Sequence, residues 1–150
     1  MAEKAGAEFS ADEKAAMKSR AAELRAEKAA QRAADKAAAL EQVCLDAIAA
    51  MPDDDRAIAE RLHALVKENA PKLGSKTWYG FPAYTDDAGQ VVLFFQPRVK
   101  FGARYSTLGF NDSAALDDGA MWPTSFAIDH LEQADEARVA ELIRRAVGAA

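Results

Sequence analysis

Between Ala7 and Met51 the chain contains neither glycine nor proline, and the stretch is rich in Ala, Glu, Lys, Arg and Met, the strongest helix formers. One long helix is the regular structure such a segment favours. Ser10 and Glu13 have the spacing of a capping box, which places its start at about Ala11. What that helix can bury is limited. Of the first 40 residues, 16 are Ala, and the only larger apolar side chains are Met1, Phe9, Met17, Leu24 and Leu40. Lys28, Arg32 and Lys36 repeat like charge at i,i+4 spacing, which slightly opposes the helix. Residues 1–39 therefore read as an Ala-rich, solvated helical extension. A role as a protein interaction module is the alternative, against which weak net charge and a missing heptad argue.

From Leu40 the pattern changes. Leu40, Val43, Cys44, Ala47, Ile48 and Met51 fall at steps of three and four, which marks a face that packs on a core. Cys44 lies within that face and reads as a small buried hydrophobe. Pro52 ends the helix, and Asp53, Asp54 and Asp55 open a second periodic run through Ile58, Leu62, Leu65 and Val66. Acids at a helix start accept free amides and complement the dipole. Three in succession exceed that need, so a cation site stays open here. His63 reads as structural, and Asn69-Ala70-Pro71 closes the helix.

Beyond Gly74 the sequence predicts sheet. Lys76 to Tyr79 is β-prone, Gly80 and Pro82 interrupt it, and Ala83 to Thr85 starts another strand. Asp86 to Gly89 is a turn, and Gln90 to Gln96 is apolar on both faces, as expected for a central strand covered on both sides or at a crowded sheet position. Val99 to Phe110 predicts one or two more antiparallel strands, with Gly102 and Gly109 marking a bulge or bend. A short helical segment is expected at Ala114 to Leu116, a last strand at Trp122 to Ile128, and a closing helix with Val139, Leu142, Ile143, Ala146 and Val147 on its apolar face. The fold class is α+β: an antiparallel sheet of about four to six strands packed by helices, with residues 40–150 as the globular domain.

Charge and motif content narrow the function. Residues 1–36 carry eight Lys/Arg against seven Asp/Glu, leaving eleven against seventeen of the chain's total for the rest. The globular part is thus near −6, which disfavours nucleic acid as a partner. A lone cysteine forms no internal disulfide and no zinc-ligand spacing is present; no apolar run approaches the ~20 residues of a membrane span, and the N-terminus is charged where a signal peptide needs an apolar core. A cytosolic protein without a membrane segment is expected. There is no P-loop, paired HxxxH or Gly-x-Ser-x-Gly elbow, and no residues are assigned as catalytic. The chain reads as a non-enzyme.

Lys76-Thr77-Trp78-Tyr79-Gly80-Phe81-Pro82-Ala83-Tyr84, preceded by Ala70-Pro71, resembles the signature of the small YdhG-like proteins of the DUF1801 family. The resemblance continues through the Phe94-Phe95 strand, Leu108-Gly109-Phe110, Leu116 to Thr124 and the closing helix, covering about Glu41 to Val147. Phe81 stands where the family often has Met, and Trp78 where a smaller residue is common. The resemblance implies a frataxin-like α+β fold and, for some members, an intracellular iron chaperone that supplies iron-sulfur cluster or haem assembly proteins. Weak iron binding through surface carboxylates suits the acid-rich loops, since iron ions accept oxygen ligands. The ligands expected on that reading are Asp53, Asp54, Asp117 and Asp118.

A reading from a different class uses the aromatic stretch itself. Lys76, Trp78, Tyr79, Tyr84, Arg104 and Trp122 would line an aromatic-walled pocket for a small anionic ligand or a peptide. The structural alternative for each of these aromatics is core or turn.

Overall fold

The computed structural model describes residues 9–148. It is α+β, as the sequence predicts. The helices are α1 (Ala11–Ala49), α2 (Asp53–Asn69), the single turn α3 (Arg98–Phe101) and α4 (Gln133–Ala146); the strands are β1 (Gly74–Trp78), β2 (Phe81–Thr85), β3 (Val91–Gln96), β4 (Ser106–Phe110) and β5 (Ser125–Ile128). The first eight and last two positions of the two predicted segments lie outside the described residues. By internal contacts the chain divides into two units, residues 1–38 and 39–150.

The first unit is helical throughout its described part except Phe9 and Ser10, and its side chains from Phe9 to Ala38 are exposed. Ser10 Oγ accepts the Glu13 amide at 3.1 Å, which supplies half of the expected capping box. Helix α1 runs on without a break to Ala49, as the missing glycine and proline dictate.

In the second unit the five strands form one antiparallel meander in sequence order. The register aligns Ser75, Tyr84, Leu93 and Phe110 in one transverse row, and Lys76, Ala83, Phe94, Gly109 and Ser125 in the next. Successive residues of a strand point to opposite faces, so the first row looks one way and the second the other. The first face carries the main core. Tyr84, Leu93, Phe95, Leu108 and Phe110 cluster there with Cys44 and Ile48 of α1, Ile58, Leu62, Leu65 and Val66 of α2, and Val139, Ile143 and Ala146 of α4. Phe81 and Ala83 are also buried, yet they lie outside this cluster.

Three local expectations differ from the structure. Val99 to Phe101 is the helical turn α3, because Pro97 opens it and Gly102, at φ 62°, closes it as a left-handed cap. Only Ser106–Phe110 of that stretch is strand. Ala114 to Leu116 is not helical; Ala115 N–H is taken by Ala146 O, so the segment is tied to α4 instead of to itself. The irregularity in the sheet falls between Tyr84 and Thr85, not at Gly102 or Gly109.

Candidate binding face

The signature stretch is a tight hairpin. Trp78 pairs with Phe81, and Tyr79-Gly80 forms the two-residue turn, at φ 52° and 80°. Those signs are the ones a primed turn needs to match strand twist. Pro82 fits within β2 because its nitrogen, in the pair with Thr77, faces away from β1, and the β2–β3 register begins only at Ala83 with Phe94. The break in β-propensity at Gly80 and Pro82 is therefore the hairpin itself. Glycine suits position 80 because its φ of 80° is a conformation side chains rarely adopt; the nearest group to a Cβ there is the mobile end of Lys100. Tyr79 has no such licence, being the only non-glycine residue at positive φ among the described residues.

On the face of the sheet away from the main core, aromatic rings make a second cluster. Trp78 lies 5.8 Å from Phe81 and 5.4 Å from Phe94, Phe81 lies 5.6 Å from both Phe94 and Phe101, and Tyr79 stacks 5.0 Å from Trp78. The Phe94 ring lies across Gly109 of the neighbouring strand, where a Cβ would come within 2.1 Å of it. Phe81 is 5% exposed at the centre of the cluster, and Tyr79 is 75% exposed at its tip. Apart from the single turn α3, the rings pack on one another and on the sheet. Trp78 and Phe94 are half-buried, and Tyr79 and Phe101 are the exposed rings of the cluster; contiguous aromatic side chains that reach the surface are enriched at interaction sites.

Of the residues expected to line a ligand pocket, the structure brings together Lys76, Trp78 and Tyr79. Tyr84 is a core residue, 1% exposed, whose hydroxyl shares a 2.9 Å hydrogen bond with His63 Nδ1. Alternation explains the separation, since Tyr84 follows Ala83 and so points to the opposite face. Burial raises the Tyr84 pKa well above 10 and lowers that of His63, while His63 Nε2 faces Glu41 Oε1 at 3.8 Å. Lys67 bonds Glu41 at 2.7 Å and holds its carboxyl below the ordinary range. Cys44, fully buried in the same region, has its thiol pushed up to about 11 by burial. Arg104 stacks 5.3 Å from Tyr105. Trp122 lines a separate cleft of about 310 Å³ with Phe126, Arg138 and Arg145.

The four expected iron ligands are exposed and fall apart into two pairs. Asp53 is held by Arg56 at 2.8 Å, and Asp54 lines a cleft of about 560 Å³ with Arg61, Arg98, Asp129, His130 and Glu136. Asp118 lines the Trp122 cleft, and Asp117 is beside it in the exposed turn. Among the described residues no three His, Cys, Asp or Glu side chains are grouped as a metal centre would need. The third acid of the run, Asp55, has a different part. It is fully buried, accepts Val99 N–H and Ser106 O–H at 3.2 Å each, and lies 3.6 Å from Arg98 Nε. Arg98 also donates to the Asp129 carboxylate and to the Ile128 and Asp129 carbonyls. One buried carboxylate thus ties the start of α2 to α3, β4 and the end of β5.

Sequence reasoning placed Lys76, Trp78 and Tyr79 but missed Phe94, Lys100 and Phe101. The available signal was the doubly apolar strand Val91–Gln96: a strand apolar on both faces in a sheet with helices on one of them leaves an apolar face open. Compared with protein-family models, curated proteins and solved structures, the chain gives no significant match. No helix is long and apolar enough to cross a membrane among the described residues.

Proposed function

We propose that residues 40–150 form a non-enzymatic binding domain that takes a peptide segment of a partner protein on the open sheet face at the Tyr79-Gly80 hairpin. The observation that carries this reading is the contiguous cluster Trp78, Tyr79, Phe81, Phe94 and Phe101 on the face opposite the main core. A face without a deep cleft suits an extended segment better than a small molecule. The test is selection from a random peptide library, followed by amide chemical-shift mapping of the selected peptides on the full chain. Shifts concentrated at residues 76–81, 94 and 101 are expected. Peptides that map to other surfaces, or a library without binders, would sink the proposal.

The resemblance to the DUF1801 family, with its frataxin-like fold and cytosolic iron chaperones, supports a second reading. On it, Asp53, Asp54, Asp117 and Asp118 hold iron weakly for transfer to iron-sulfur or haem assembly proteins. The specific support is that both acid pairs are solvent-exposed at a helix start and a turn, where a weakly held ion leaves easily. Each pair supplies two carboxylates, so water would complete the coordination. Anaerobic ferrous titration with amide spectra tests it: saturable shifts confined to Asp53–Arg56 and Asp117–Gly119 are expected, and their absence removes the reading.

A further inference from the structure

The end of the sheet that carries the hairpin is also where cations collect. From residue 69 to residue 111 the chain has five basic residues, Lys72, Lys76, Arg98, Lys100 and Arg104, and two acidic ones, Asp86 and Asp87. The two acids sit in the β2–β3 turn and Lys72 just before β1, all at the opposite end of the strands from Tyr79-Gly80, whereas the β3–β4 connection that carries Lys100 and Arg104 returns to the hairpin end. Arg98 is occupied by Asp55 and Asp129. Lys76, Lys100 and Arg104 have no carboxylate within 4.0 Å among the described residues. Lys100 Nζ donates to the Tyr79 carbonyl at 3.2 Å and lies 5.8 Å from the Phe101 ring, so the charge is held beside the aromatic cluster. Asp55 and Asp129, the acids placed beside this end of the sheet, are both taken by Arg98, which leaves Lys76, Lys100 and Arg104 without an acidic partner among the described residues.

Tyr79 adds an independent observation. A tyrosine at φ 52° keeps its backbone in the left-handed region, a position that Asn or Gly fills at lower cost, and presents its ring almost fully to solvent. Strain of that kind persists where the rest of the structure, or a function, demands the side chain. Tyrosine is among the side chains enriched at binding hot spots.

Resting on the peptide-binding reading above, we infer that the partner segment is acidic, with carboxylates meeting Lys76, Lys100 and Arg104 while an apolar or aromatic side chain packs against Tyr79 and Trp78. Charge complementarity selects this occupant. A second copy of the chain placed face to face would oppose like cations, and a long polyanion would run onto the acidic remainder of the surface.

The full chain would be titrated with three labelled peptides of equal length, alternating Glu-Phe, Gln-Phe and Lys-Phe, and binding read by anisotropy. The Glu-Phe peptide should bind about tenfold more tightly than Gln-Phe, the sum expected of three exposed charge pairs. That advantage should shrink between about 0.1 M and about 1 M salt, where the screening length falls from ~10 Å to ~3 Å. The triple variant Lys76→Gln, Lys100→Gln, Arg104→Gln should lose the advantage, so that Glu-Phe and Gln-Phe bind it alike. Tyr79→Asn should weaken both peptides while the fold, monitored by circular dichroism, is retained. Equal binding of Glu-Phe and Gln-Phe overturns the acidic partner and leaves peptide binding intact; no binding of any peptide removes both. Tighter binding of single-stranded DNA or anionic vesicles, lost in the triple variant, would overturn the inference in favour of a different polyanion. Dimerisation abolished by Tyr79→Asn would overturn it in favour of a second copy.

Discussion

Asp55→Ala should be among the most damaging single substitutions of a charged residue in this chain. The side chain is fully buried and accepts from two donors, Val99 N–H and Ser106 O–H, while Arg98 Nε lies at ion-pair distance. Alanine leaves both donors without that acceptor and removes the buried charge partner of Arg98. A buried donor left unsatisfied costs roughly 1–3 kcal/mol, and removing one partner of a buried ion pair costs about 3–5 kcal/mol. Two features lower the total. Arg98 keeps the Asp129 carboxylate and two carbonyls, so its charge is not orphaned, and the Ser106 hydroxyl can rotate. A loss of about 2–4 kcal/mol is the resulting expectation, a large share of the ~5–15 kcal/mol of a typical domain. Urea denaturation followed by circular dichroism measures it as a lower midpoint at unchanged slope. Asp53→Ala is the internal control, since its pair with Arg56 is exposed and worth under about 1 kcal/mol. If Asp55→Ala costs no more than Asp53→Ala, the buried network does not hold α2 to α3 and β4.

Gly109→Ala should destabilise by about 1–3 kcal/mol, because the new methyl displaces the Phe94 ring and its cross-strand contacts; a neutral result in thermal melts would refute that packing. Tyr79→Asn should instead stabilise by up to about 1 kcal/mol by relieving the left-handed tyrosine, so that stability rises while peptide affinity falls. The two histidines should act on stability with opposite pH dependence. His63 is lowered below 6.5, chiefly by burial, so the unfolded chain takes the proton first: its contribution is intact above pH 6.5 and is lost as pH falls below it. His130 is raised above 6.5 by hydrogen bonds to Asp129 and Glu132, so its contribution is intact below pH 6.5 and is lost as pH rises through the folded value. Melting curves of His63→Gln and His130→Gln above pH 4.5 should each lose the corresponding slope. Cys44 should resist alkylation in the folded protein and react on unfolding, since burial both shields it and pushes its thiol to about 11.

The fold was legible where a residue's local preference and its burial agree. Cys44, Ile48 and Met51 and the run from Ile58 to Val66 follow from periodicity, and the strand Val91–Gln96 from its apolar composition, whereas Leu40 and Val43 of the expected core face are exposed because α1 meets the core only toward its C-terminal end. The missing glycine and proline foretold a single α1. The departures have identifiable causes. Val99 to Phe101 has strand-forming composition but lies between Pro97 and a left-handed Gly102, and the capping geometry decides. Ala114 to Leu116 has helical composition but its amide is claimed by α4. For the site, the aromatic stretch announced itself, yet only strand register assigns Trp78 and Phe81 to one face and Tyr84 to the other. The acid run shows the same limit. Asp53, Asp54 and Asp55 are equivalent in sequence, and only the packing of α3 and β4 makes the third a buried anchor and leaves the first two in water.

The meander order of the strands bears on how the domain assembles. Every strand pairs with its immediate neighbour in the chain, so the β1–β2 and β2–β3 pairings close short loops, and the longer connections 97–105 and 111–124 add only slowly to the closure entropy. Among the described residues the side-chain hydrogen bonds of longest sequence span join α2 to α4, side by side on one face of the sheet, as in the link between Arg61 and Glu136 and the 2.7 Å bond from Arg144 to Asn69. Hairpins can therefore form early and independently, with the docking of α4 onto α2 as the late, length-limited event. Substitutions at that helix pair should speed unfolding more than they slow folding, whereas those at the Tyr79-Gly80 turn should do the reverse.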